Sequence, residues 1–131
     1  RDNAHYAVVK PPLEVERREK RLKDDVARVT QDIARSLEEL IAAAHASCFS
    51  MALAFQLTNA GHPPTELRTE AKVELVKGDA GWSIPSIRLS VVGVVPGIDA
   101  AKFAELAANA KANCPVSRAL SPSITLEATL A

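Results

Sequence analysis

A capping box opens the strongest element of this chain. In Ser36-Leu37-Glu38-Glu39 the serine hydroxyl can accept from the amide three residues on, while Glu39 reaches back to the serine amide. An alanine-rich run follows to Ala60, and Gly61 supplies a stop. The pattern predicts a helix over 37–60. It is apolar on most of its surface and is therefore expected to be buried on several sides, with Phe49, Met51 and Phe55 in the core.

The rest of the chain must supply that cover. Residues 5–9, HYAVV, can form a short strand that Pro11-Pro12 ends. Residues 13–35 are helix-friendly, with Val15, Leu22, Val26, Val29 and Ile33 at loose helical spacing. Pro63-Pro64 break the chain. Residues 67–76 alternate as a strand, with Ala71, Val73 and Leu75 on one side, and 78–81 form a turn. A second strand over 82–95, irregular at Pro85, completes an antiparallel hairpin. Asp99 caps a helix over 100–112, and 123–130 alternate as a last strand. Helix, strand, strand, helix, strand fits an α+β fold better than a wound parallel sheet.

The 131 residues suit one domain with a real core. Sixteen basic residues balance sixteen acidic ones, so no net field favours nucleic acid or an anionic membrane. Residues 14–25, EVERREKRLKDD, read as a solvated helix face or an arm. No stretch of about 18 uninterrupted apolar residues and no signal peptide are evident, and a soluble, cytoplasmic protein is expected.

Two cysteines, Cys48 and Cys114, carry the candidate chemistry. One thiol can be oxidised to a sulfenic acid and the other can condense with it to a disulfide. A thiol attacks peroxide as thiolate, and Cys48 lies about eleven residues into its helix, beyond the reach of the N-terminal dipole. A cation must therefore stabilise it, most suitably an arginine held in place by a carboxylate. Cys114 precedes Pro115, a favoured first helical residue, and so stands as the cap of a short helix through Leu120. Two inert buried cysteines, or a zinc site of His45, Cys48, His62 and Cys114, are the other readings, although no CxxC or HxxxH spacing supports the metal. His45, one turn before Cys48, reads as a packed helix residue rather than a base.

The strings EELIAAAHASCFSMAL, VPGIDAAKF and NCPVSRAL resemble the osmotically inducible protein C and organic hydroperoxide resistance (OsmC/Ohr) family, and its OsmC branch in particular. The resemblance covers 37–131. It implies a cysteine-based peroxidase acting on organic hydroperoxides in stress defence, with Cys48 peroxidatic and Cys114 resolving. It also implies an OsmC-like fold, in which a long central helix and a second helix pack on an antiparallel sheet within an intertwined homodimer. Glu38 matches the glutamate that orients the activating arginine. Counting back twenty residues from Cys48 gives Arg28 for that arginine, with Arg35 as the alternative. If Glu38 and Cys48 share a helix, ten residues put them ~15 Å apart along its axis. Glu38 can then serve a Cys48 site only from the partner subunit. The implied reductant is a dithiol, of the kind carried by a lipoyl-bearing protein; no cofactor or metal is expected.

Residues 1–36 depart from the family's pattern. They are charged and helix-like where the family has glycine-punctuated strands, and Ser36-Leu37 stands where it usually has Asn-Pro. The whole chain is read as one domain, 1–131, with 1–36 atypical. A non-catalytic stress or ligand-binding protein and a thiol redox sensor are the competing functions.

Overall fold

The computed structural model describes residues 13–120 and 122–131. The strand expected at 5–9 lies outside them. The order is α1 (Leu13–Asn59), β1 (Glu66–Val73), β2 (Val76–Gly78), β3 (Gly81–Ser83), β4 (Ser86–Val94), α2 (Ala100–Asn113), α3 (Pro115–Ala119) and β5 (Ser123–Leu130). The chain divides into two compact units, one through Ala34 and one from Arg35 to Ala131.

The capping box does not begin a helix. Ser36 lies inside α1, which runs through 47 residues without a break. No proline or glycine occurs between Leu13 and Asn59, so nothing forces a stop there, and the helical amides that a cap would satisfy already bond within the helix. The far end follows the expectation. Gly61 takes φ 85°, the Gly61 amide donates to the Thr58 carbonyl (3.0 Å), and the His62 amide donates to the Leu57 carbonyl (2.9 Å). This is the doubly bonded left-handed termination that glycine permits.

In the first unit α1 is a solvated helix. Leu22, Val26, Val29 and Ile33 are exposed, and Arg18–Glu14 and Arg28–Asp25 pair along its surface, each at 3.0 Å. Exposed pairs of this kind contribute a few tenths of a kcal/mol, roughly, each.

In the second unit α1 buries one stripe, His45, Phe49, Leu53 and Leu57, at four-residue intervals. Full burial of each large apolar member is worth about 1.5–3 kcal/mol. The expectation of burial on several sides is corrected here. Met51 and Phe55 are two-thirds exposed and Leu40 is 69% exposed, because this chain covers only one face of the helix. An 18-residue window of α1 reaches mean hydropathy 1.6, enough by length and composition to cross a membrane. Its buried stripe, however, forms the core against a sheet.

That sheet has the order β1-β4-β5. β1 and β4 are antiparallel, as expected of the hairpin, with Ala71 opposite Leu89 and Val73 opposite Ile87. The connection between them is longer than a turn. It folds into the β2–β3 ribbon, and Pro85 separates β3 from β4. β5 departs from the all-antiparallel expectation: it lies parallel to β4, with Leu89 opposite Leu126 and Val91 opposite Ala128. A parallel neighbour needs a crossover connection, and α2 with α3 is that crossover. One sheet face carries Leu67, Ala71, Leu89, Val91, Leu126 and Ala128 against α1 and against Phe103, Leu106, Ala107 and Ala110 of α2. The other presents Glu70, Lys72, Arg88 and Glu127 to solvent. Asp99 caps α2, its side chain accepting from the Lys102 amide at 2.7 Å.

Candidate functional site

The crossover delivers the second cysteine to the first. α2 ends at Asn113, the Cys114 amide closes on the Ala110 carbonyl (2.8 Å), and Pro115 opens α3. Cys114 thus sits at the corner between two helices, with no exposed surface. Cys48, half-buried on α1, packs against the same core cluster. The two thiols are near enough for each to act on the other's proton, and both are free.

Their surroundings differ. Burial pushes the Cys48 thiol up, and the neighbouring Cys114 adds to this, against a single opposing hydrogen bond from the Val116 backbone. Burial also acts to raise Cys114. It is outweighed by the Ser117 backbone, the Cys48 thiol, the Ser117 hydroxyl and the Val116 backbone, so that the net direction is down. The two thiols therefore titrate as a pair, in which burial disfavours the Cys48 anion and the surrounding hydrogen-bond donors favour that of Cys114. Among the described residues no guanidinium acts on Cys48.

His45 is fully buried one turn before Cys48, as a packed residue should be. It is not inert packing, because its Nε2 lies 2.8 Å from Ser117 Oγ. Its Nδ1 is buried without a partner, and burial holds the imidazole below its ordinary value. Ser117 received no role from sequence reasoning. The available signal was its position three residues after Cys114, on the same helical face of PVSRAL.

Glu38 is half-buried on α1, and its Oε1 accepts from the Leu75 amide at 3.4 Å. With Arg35, Glu39, Ala42, Ala71, Lys72 and Val73 it lines a surface groove. Glu38 and Cys48 do share one helix, so the ~15 Å axial separation stands within one subunit. Arg28 lies in the first unit, where its guanidinium binds Asp25. Among the described residues no three His, Cys, Asp or Glu side chains converge on a metal position. Of the four residues considered for zinc, His62 stands beside Gly97 in the loop after β4, its Nδ1 3.6 Å from where a Cβ on that glycine would lie.

Residues 30–129 match the family described as OsmC-like protein. The chain belongs to the OsmC family. It is 53% identical over 90 residues to the peroxiredoxin OsmC of Escherichia coli K12, and equally so to that of Shigella flexneri. The match covers 69% of this chain and 63% of each relative, so the chain spans less than two thirds of the relatives' length. Among solved structures, an OsmC-like protein of unknown function from Vibrio cholerae superposes with TM-score 0.63 at 19% identity, covering 70% of this chain and 62% of that one. The organic hydroperoxide resistance protein OhrB of Bacillus subtilis gives TM-score 0.58 at 28% identity, covering 72% and 68%. The α+β fold, with a long helix packed on a small sheet, is thus that of the OsmC family.

Proposed function

We propose that this OsmC protein is a thiol peroxidase that reduces organic hydroperoxides to alcohols. The observation that carries the reading is the meeting of Cys48 and Cys114 at the edge of an apolar core. The names of the relatives, peroxiredoxin and organic hydroperoxide resistance protein, support it.

Cys48 thiolate attacks the terminal oxygen of the hydroperoxide. The S–O bond forms as the O–O bond breaks, and the alkoxide leaves with a proton as alcohol. Cys114 then attacks the Cys48 sulfenic acid, a disulfide forms and water departs. An external dithiol, possessed by a lipoyl-bearing protein in this reading, reopens the disulfide by exchange. Apolar neighbours of Cys48 suit an alkyl or lipid chain better than hydrogen peroxide. A recycled thiol pair suits a reducing compartment such as the cytoplasm.

Because Cys48 is raised in the single chain, the reading requires an added cation. We assign this to Arg28, with Arg35 as the alternative; on α1 Glu38 stands ten residues from Arg28 and three from Arg35, so within one subunit it can hold only Arg35, and the axial distance requires that Glu38 serve Cys48 from a second subunit. The exposed Leu40, Met51 and Phe55 face of α1 supports a homodimer that covers it.

One observation favours a second reading. A raised Cys48 with no guanidinium acting on it among the described residues is what a non-catalytic binding member of the family would carry. Stopped-flow mixing of reduced protein with cumene hydroperoxide, and separately with hydrogen peroxide, decides between them. Fast oxidation by the organic peroxide with one Cys48–Cys114 disulfide by mass spectrometry is the peroxidase result. Slow reaction with both peroxides and persistent free thiols is the binder result.

A further inference from the structure

Four residues at the site form two matched pairs. His45 and Cys48 stand three apart on α1, and Cys114 and Ser117 stand three apart across the start of α3. The pairs face each other. Cys48 meets Cys114 at one end, and His45 Nε2 meets Ser117 Oγ at 2.8 Å at the other. Ser117 is also among the groups acting on the Cys114 proton, three residues along from it at the start of α3. His45, Ser117 and Cys114 are therefore neighbouring polar groups inside an otherwise apolar core.

The mechanism above leaves this histidine unused, and packing does not explain it. A fully buried imidazole whose Nδ1 has no partner is destabilising compared with an apolar side chain of similar size. The missing partner has a chemical consequence. A bond at the second ring nitrogen ordinarily locks the tautomer. With none at Nδ1, Nε2 is free to accept from Ser117 or to donate to it.

We infer that His45, acting through Ser117, takes up the proton that Cys114 must lose to attack the Cys48 sulfenic acid. This rests on the peroxidase reading for its electrophile. Before the step Cys114 S–H donates to Ser117 Oγ, and the Ser117 hydroxyl donates to Nε2. Both protons then shift one place along the path. Cys114 is left as thiolate accepting from Ser117, and His45 is left as imidazolium, protonated at both ring nitrogens, with Nε2–H donating to Oγ. The thiolate attacks Cys48 Sγ, the S–S bond forms, and the S–O bond breaks with its electron pair on hydroxide. Hydroxide gains one proton and His45 gives one back, so that sulfenic acid and thiol become disulfide and water. In this step Ser117 touches the reacting sulfur; His45 is a positioning residue for the proton. The titratable groups along the path are Cys48, Cys114 and His45.

The test separates the two half-reactions. Reduced protein is mixed with one equivalent of cumene hydroperoxide and quenched at intervals with a sulfenic-acid trap, and intact mass gives the trapped and disulfide species. His45→Gln keeps a hydrogen-bonding nitrogen near the Nε2 position but cannot take up a proton. It is expected to form sulfenic acid at the wild-type rate and to close the disulfide roughly tenfold or more slowly. Ser117→Ala should behave alike, and Ser117→Thr, which keeps the hydroxyl, should restore closure. Release of the coloured thiolate from an aromatic mixed disulfide placed on Cys48 follows the same Cys114 attack without peroxide, and the same order of rates is expected. Wild-type closure by His45→Gln in the mixed-disulfide assay overturns the inference. If His45→Gln does not fold, wild-type closure by Ser117→Ala overturns it. Failure of peroxide to oxidise Cys48, with the mixed-disulfide order intact, overturns the peroxidase reading and leaves the proton path standing.

Discussion

Gly93 of β4 lies directly beneath Phe103 of α2: a Cβ on the glycine would stand 2.7 Å from two carbons of the phenylalanine ring. No real Cβ sits so close to a ring, and Leu67 Cδ2 closes the other side at 3.2 Å. The hydrogen in place of a side chain lets α2 settle on the sheet. Gly93→Ala should destabilise the fold by about 1–3 kcal/mol through overpacking, read as a lower denaturant midpoint at unchanged slope. An unchanged midpoint would mean that Phe103 moves aside freely.

The two cysteines should separate by step. Cys48→Ser is expected to abolish hydroperoxide turnover. Cys114→Ser should still accumulate a trappable sulfenic acid at Cys48 but form no intramolecular disulfide. Turnover retained by Cys48→Ser would end the mechanism.

The activating guanidinium can be found by rate. Arg28→Gln should slow oxidation of Cys48 by cumene hydroperoxide by roughly 10²-fold, the order of effect expected for loss of one charge-stabilising donor. If Arg35→Gln shows that loss and Arg28→Gln does not, the role belongs to Arg35.

Buried His45 should make stability depend on pH. Its folded value lies below the ordinary 6.5, so the unfolded chain binds that proton more readily. The neutral imidazole's contribution is present above about 6.5 and is lost as pH falls from there toward the folded value. Between pH 8 and pH 5 the wild type should lose more unfolding free energy than His45→Gln, which has no titrating group at that position. Equal losses would show that His45 titrates alike in both states.

Association should depend on the uncovered face of α1. The protein is expected to sediment as a dimer, and Phe55→Glu, which puts a charge on a side chain 67% exposed in the single chain, should shift it toward monomer. A monomeric wild type would leave Glu38 without a Cys48 site to serve.

Elements marked by local chemistry were legible in the sequence. The Asp99 cap, the Gly61 stop and the alternation of β5 all stand where backbone preferences put them, whereas the irregularity expected at Pro85 within one strand is a break between two. What local chemistry does not encode was missed. Ser36 has the form of a cap, yet a cap acts only where the helix actually begins. The direction of β5 depends on which strand it meets and on the crossover that carries it there. The exposure of Met51 and Phe55 depends on which face of α1 finds a partner. At the site, the two cysteine strings marked both thiols, and His45 was noticed. Its bond to Ser117 spans 72 positions, a distance no periodicity reports.

The parallel docking of β5 has a consequence for the timing of reactivity. Cys114 lies in the crossover that joins β4 to β5, and Lys111, just before it, donates to the Ile124 carbonyl at 3.1 Å. The corner that presents the second thiol is therefore anchored by the final strand. Until that strand has docked, the corner that brings Cys114 to Cys48 lacks this anchor. In the proposed cycle it is closure of the disulfide, rather than oxidation of Cys48, that would wait on the final strand, and fraying of that strand would leave the sulfenic acid without its partner thiol.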